Sequence, residues 1–216
     1  DSPQHVEAAA AATRELNTYF LVPMLEGRYD DAYLEQAGKN APKFTDDEMK
    51  IISSPVDFVG INVYIPALAV TASEPSGYEA VPFSVSHPKM FSDWHRLAPE
   101  SQYWSPRLLH EIWKPKEIYI TENGCAAADE VAKDGHVYDY DRVMYLRNGM
   151  MWQQRATAEG VPLKGSFYWS TMDNFEWING YGDRFGLVHV DYKTQKRTPK
   201  LSASWYREAA RRNAVV

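Results

Sequence analysis

Residues 118–124 read Ile-Tyr-Ile-Thr-Glu-Asn-Gly, and this stretch constrains the chain most. β-branched and aromatic residues run into a polar pair and a glycine, the pattern of a short buried strand ending in a turn. Strand side chains alternate between faces, so Ile118, Ile120 and Glu122 are expected on one face. A carboxylate then stands at the C-terminal end of a strand, in line with apolar residues. An ionised carboxylate is costly there unless it is paired, hydrogen-bonded or used, or has simply reached solvent.

Two further strands follow the same plan. Val56 to Tyr64 places Phe58, Gly60, Asn62 and Tyr64 on one face, and Pro66 closes it. Leu163 to Thr171 places Gly165, Phe167 and Trp169 on one face. Helix signals lie between and around them. Ser2-Pro3 opens an alanine-rich helix to about Asn17, and Thr45 caps a short helix from Asp46 to Ile52. Ser105 to Lys114 and Asp141 to Glu159 are helical, the second with an apolar face of Val143, Leu146, Met150 and Met151. Gly160 and Pro162 end it, and Thr198-Pro199 opens a last helix through Arg212. Thr71 to Glu100, rich in Ser, Pro and Gly, reads as a long loop. Strands alternating with helices predict an α/β fold with a parallel sheet, and all three strands carry polar groups at their C-terminal ends.

The net charge of −6 argues against a nucleic-acid-binding protein, and no apolar run is long enough to cross a bilayer. The single cysteine, Cys125, excludes an intrachain disulfide and is read as a loop residue, since no histidine is near it in sequence. His110-Glu111 lacks the second histidine of a zinc motif, so no metal and no cofactor are expected. A cytoplasmic setting is expected, with Asp1 read as a processing or cleavage boundary. Aromatics make up 13%, and several flank polar residues near strand ends, which suits the C–H faces of sugars.

Downstream lie Tyr168-Trp169-Ser170-Thr171-Met172-Asp173-Asn174-Phe175-Glu176-Trp177 and Gly180-Tyr181-Gly182-Asp183-Arg184-Phe185-Gly186-Leu187. With the Glu122 stretch, these motifs resemble the C-terminal half of the family 1 glycoside hydrolases, the β-glucosidase type, from about Asn17 to Trp205. The resemblance implies a (β/α)8 TIM barrel, of which residues 1–216 would be the C-terminal portion of one catalytic domain. It would supply strands six to eight with flanking helices, completed by an N-terminal half not in this chain. It also implies that Glu122 is the nucleophile of a retaining β-glucosidase acting on β-glucosides or short β-linked oligosaccharides, as in cellulose degradation.

Such an enzyme needs two carboxyl groups about 5–5.5 Å apart. By the same resemblance Asn62 and Tyr64 stand at the nucleophile, with Tyr64 donating a hydrogen bond that favours the charged carboxylate. Trp169 is implied as a platform under the sugar. Glu176 and Trp177 are implied as partners of its hydroxyls, and Phe185 as part of the same wall. The acid/base glutamate of the family's Asn-Glu-Pro motif has no counterpart here. The one Glu-Pro pair, Glu74-Pro75, sits in the long loop and is not assigned that role. A sugar-binding half-barrel without catalysis, a β-galactosidase or β-fucosidase of the same family, and another barrel hydrolase are the alternatives. The intact Glu122 motif weighs against the first and the Glu176-Trp177 loop against the last.

Overall fold

The structure, a computed structural model, describes residues 2–66, 69–73 and 77–216. Glu74-Pro75 lies outside the described residues. The chain divides into two compact units, one of residues 1–59, 68–82 and 108–116, the other of the remainder.

In the first unit, α1 spans Pro3–Glu26. Ser2 caps it by accepting from the His5 N–H at 3.3 Å. The helix was expected to end near Asn17, but the aromatic stretch from Tyr19 continues it. Pro23 removes one backbone donor without ending the helix; Gly27 ends it at φ +71°, in the left-handed region. A bidentate Arg14–Glu26 pair, 2.6 and 3.0 Å, joins the middle of α1 to its last turn, and Trp113 Nε1 donates to Glu26 at 3.1 Å. After α2 (Asp31–Ala37), α3 (Asp46–Ile52) starts at Thr45 as expected. There the Thr45 hydroxyl accepts from Glu48 N–H and the Glu48 carboxylate accepts from Thr45 N–H.

The stretch expected to be one long loop contains an antiparallel pair, β2 (Ala69–Thr71) with β3 (Glu79–Val81). It packs on α1, and Thr71 Oγ1 lies 3.2 Å from His5 Nε2. Each strand is only three residues long, too short for alternation to show in the sequence.

In the second unit, β1 (Val59–Asn62, whose last three residues belong here), β4 (Ile118–Asn123) and β5 (Leu163–Tyr168) form a sheet in that order, with β4 and β5 parallel. Ile118 and Ile120 are fully buried. On the other face Thr121 Oγ1 donates to Asn62 Oδ1 at 2.8 Å, and Gly60 lies so close to Thr121 that an added Cβ would sit 2.7 Å from its methyl. That face, with Phe167 on β5, is exposed.

Helix α4 runs Ser101–Trp113, and α5 (Tyr140–Ala158) buries Arg142, Tyr145, Leu146, Gly149 and Ala156. Of the apolar face expected of α5, Leu146 is buried, but Met151 is exposed, and a paired arginine takes part of the inward stripe. A hairpin of β6 (Val188–Val190) and β7 (Arg197–Pro199) precedes α6 (Leu201–Arg212).

Gly124, just after β4, is required by close approach. A Cβ there would fall 1.8 Å from the Trp169 carbonyl oxygen, a backbone atom that cannot swing away. Gly124→Ala is expected to lower unfolding stability by about 2–3 kcal/mol, the usual cost of overpacking. A urea midpoint unchanged from wild type would contradict this.

Candidate active site

The alternation of β4 does not persist to its end. Thr121 faces Asn62, yet Asn123, two residues on, is buried and donates to the Val63 carbonyl and the Tyr145 hydroxyl, both at 2.7 Å. The register with β5 shifts between Ile120 and Asn123. Such an irregularity re-aims side chains at a strand end. Glu122 therefore leaves the face of Ile118 and Ile120, and its carboxylate meets the hydroxyl of Tyr64, which donates to Oε2 at 3.1 Å. Burial, and then the charge of Glu122, raise the Tyr64 phenol far above its ordinary range, so it stays a donor.

Asn62 is brought to the same strand end, but its side-chain oxygen accepts from Thr121, so its bond runs to β4 beside the nucleophile candidate. Trp169 follows β5, and its indole N–H donates to Glu176 Oε1 at 3.0 Å. Glu176 is buried. Burial, with Asp183 and Glu122 nearby, raises its carboxyl above the usual range, against hydrogen bonds from Trp169 and Asn174. Glu122 and Glu176 thus share one electrostatic neighbourhood, with Trp169 between them in sequence. Trp177 is 82% exposed. Phe185, expected to line the sugar wall, is 3% exposed. It packs edge-on against Tyr64, with centroids 6.4 Å apart, and parallel to Trp94 at 6.5 Å, so it is a support for Tyr64.

His95 belongs to the same cluster and was missed in the sequence reading. It is fully buried, stacked on Trp94 at 4.8 Å and edge-on to Tyr64 and Tyr145 at 6.2 and 5.3 Å. Neither ring nitrogen reaches a partner in hydrogen-bond geometry among the described residues. Burial pushes the imidazole down to about 4, against a weaker upward pull from the Tyr64 backbone. Also missed was Asp183, whose Oδ2 accepts from Ser92 Oγ and from Asn179 Nδ2, both at 2.8 Å. His95 lay inside what read as a long loop, whereas Asp183 stands within the Gly180–Leu187 motif and was not singled out there.

Residues 1–215 match the family model described as glycosyl hydrolase family 1, and the chain belongs to that family. It is 41% identical over 211 residues to a 1,4-beta-D-glucan glucohydrolase of Thermotoga neapolitana, covering 96% of this chain and 47% of that protein. It is 41% identical over 204 residues to beta-glucosidase A of Thermotoga maritima, covering 93% and 45%. Among solved structures, a family 1 β-glucosidase from Thermotoga maritima in complex with isofagomine lactam matches at TM-score 0.83 and 37% identity, over 100% of this chain and 48% of that one. The cyclophellitol complex of a β-glucosidase from the same organism matches at TM-score 0.80 and 40% identity, over 93% and 45%. The chain spans about half the length of the relatives it matches, and its fold is part of a TIM barrel.

A folded-state pKa for His95 below its ordinary value means that the unfolded chain binds the proton more readily. The associated stability is complete above about pH 6.5 and is lost as pH falls towards about 4. His95→Phe is expected to remove about 2–3 kcal/mol of the stability difference between about pH 7 and pH 4.5. Urea unfolding of both proteins at the two pH values checks this. Equal pH dependence in both would contradict it.

Proposed function

We propose that this chain is the nucleophile-bearing part of a retaining β-glucosidase. The observation that carries the reading is the Tyr64–Glu122 hydrogen bond at the end of β4, with Trp169 and buried Glu176 in the same neighbourhood. In this reading β1, β4 and β5 are barrel strands six, seven and eight. Glu122 attacks the anomeric carbon, and Tyr64, donating to Oε2, favours the ionised carboxylate that attack requires. Trp169 is the platform under the glucosyl ring, and Glu176 and Trp177 receive its hydroxyls. Trp177 is exposed and free to meet a sugar. The inhibitor complexes of the Thermotoga maritima relatives, with cyclophellitol and isofagomine lactam, support a sugar-like ligand here.

The second carboxylate of the mechanism lies, in this reading, on an N-terminal half of the barrel. Leaving-group protonation of this kind typically contributes about 10²–10⁴-fold. The exposed face carrying Gly60, Asn62, Thr121 and Phe167 is what that half would cover.

A 2-fluoro glucoside that traps the glycosyl-enzyme is expected to label Glu122, located by peptide mass spectrometry. Labelling at any other residue would remove the assignment. Glu176→Ser is expected to cut kcat/KM on plain glucosides by on the order of 10²-fold or more, since it removes a hydrogen bond to a buried charged group. It is also expected to relax exclusion of 6-phosphoglucosides, whose charge Glu176 repels. Unchanged kinetics on both substrates would place Glu176 outside the sugar site.

A further inference from the structure

Two segments supply the proposed site, the turn after Glu122 and the loop carrying Glu176. They are joined by a buried chain of charges. Arg142 on α5 is wholly buried and grips Asp129 with both terminal nitrogens, at 3.1 and 2.7 Å. It also bonds Asp139 and donates to two main-chain carbonyls, Cys125 at 3.3 Å and Arg184 at 2.7 Å. Cys125 is three residues after Glu122. Lys200, also wholly buried, bridges Asp129 at 2.5 Å and Asp173 at 2.7 Å. Asp173, three residues before Glu176, accepts from the main-chain N–H of Gly186 and Val190 at 3.0 and 3.2 Å and from Arg184 at 2.6 Å. Burial pushes Asp173 up, but Lys200, Arg184 and the Val190 N–H outweigh it and hold it below its ordinary range.

The targets of these bonds decide what the cluster does. A buried ion cluster kept for stability alone gains little over an apolar core of the same volume. Here the charged groups end on the Cys125 carbonyl of the Glu122 turn and on the Arg184 carbonyl and the Gly186 and Val190 amides of the segment that follows the Glu176 loop, while Asp173 itself stands in that loop, fixing main-chain positions. We propose that the chain Arg142–Asp129–Lys200–Asp173 is a positioning device that holds the Glu122 turn and the Glu176 loop at one fixed separation. Asp129 and Lys200 are then positioning residues for sugar recognition, although their own bonds lie within the cluster. The inference rests on the role proposed above for Glu122 and Glu176.

The test is a double-mutant cycle in the protein carrying these residues, reading kcat/KM for p-nitrophenyl β-D-glucoside per site titrated with the 2-fluoro glucoside. Lys200→Met alone is expected to lower kcat/KM about 10- to 100-fold, the cost of a displaced contact. In a Glu176→Gln background the same change is expected to cost threefold or less on this scale, because the contact being positioned is already lost. Asp129→Asn, which keeps the shape, repeats the cycle should Lys200→Met not fold, and Lys200→Arg should restore part of the loss. Additive effects with wild-type turnover intact would overturn the positioning role alone. Wild type without turnover or labelling at Glu122 would overturn the reading beneath it. Hydrogen exchange tests the linkage apart from activity. Asp129→Asn should speed exchange in both the Cys125–Ala127 turn and the Gly186–Val190 segment, and a change confined to one of them would overturn the proposal.

Discussion

Everything at the site depends on β4 changing sides between Thr121 and Asn123. Up to Ile120 the strand alternates, and its inward isoleucines are sealed in the core. Had alternation continued, Glu122 would have followed Ile118 and Ile120 into that core, where an ionised carboxylate costs several kcal/mol without partners. The break sends Asn123 inward in its place. An amide is far cheaper to bury, and Val63 and Tyr145 take up its N–H donors. Glu122 is released to Tyr64, and Gly124 lets the chain pass against the Trp169 carbonyl as it leaves the strand.

Around that strand end the structure uses two kinds of support. Tyr64 is held by rings, with Phe185 and His95 edge-on to it and Trp94 parallel to both of them. Ring packing of this sort fixes orientation while leaving the phenol hydroxyl available. The Glu176 loop is held by charge, through Asp173, Arg184 and Lys200. That loop has little regular structure, and the Asp173 carboxylate ties it down by accepting from the Gly186 N–H and from the Val190 N–H on β6. Buried neutral His95 and buried charged Lys200 are thus opposite solutions to packing polar groups near a site. One loses its charge, and the other is paired on two sides.

What was legible in the sequence was what local chemistry specifies. The Thr45–Glu48 capping box, Pro3 at the start of α1 and the glycine after α5 are signals of a few residues, and the structure follows them. The strand stretches were legible because β-branched runs ending in polar residues have few other readings. The inward face of α5 was legible only in part, because Arg142 enters the core paired with Asp139 just before the helix and with Asp129, 13 residues upstream. Periodicity weighs each side chain by itself and so gave that face to Val143, Leu146, Met150 and Met151, of which Leu146 is buried and Met151 is exposed. The change of sides in β4 was hidden for a related reason. It is set by pairing with β5, and no residue within β4 announces it.

The family motifs carry two functions in one string, and the geometry separates them. In Asp173-Asn174-Phe175-Glu176-Trp177, Trp177 is exposed and Glu176 is held by Trp169, while Asp173 is turned into the interior to tie down the loop that bears them. In Gly180 to Leu187, Arg184 bonds Asp173 and Phe185 backs Tyr64, while the Gly180 carbonyl accepts from the Glu176 N–H at 2.7 Å, so the motif acts as a support. Gly186 belongs with them, because a Cβ there would fall 2.1 Å from the Asp173 nitrogen and push the carboxylate out of its socket. A motif match therefore identifies the family without distinguishing contact from scaffold.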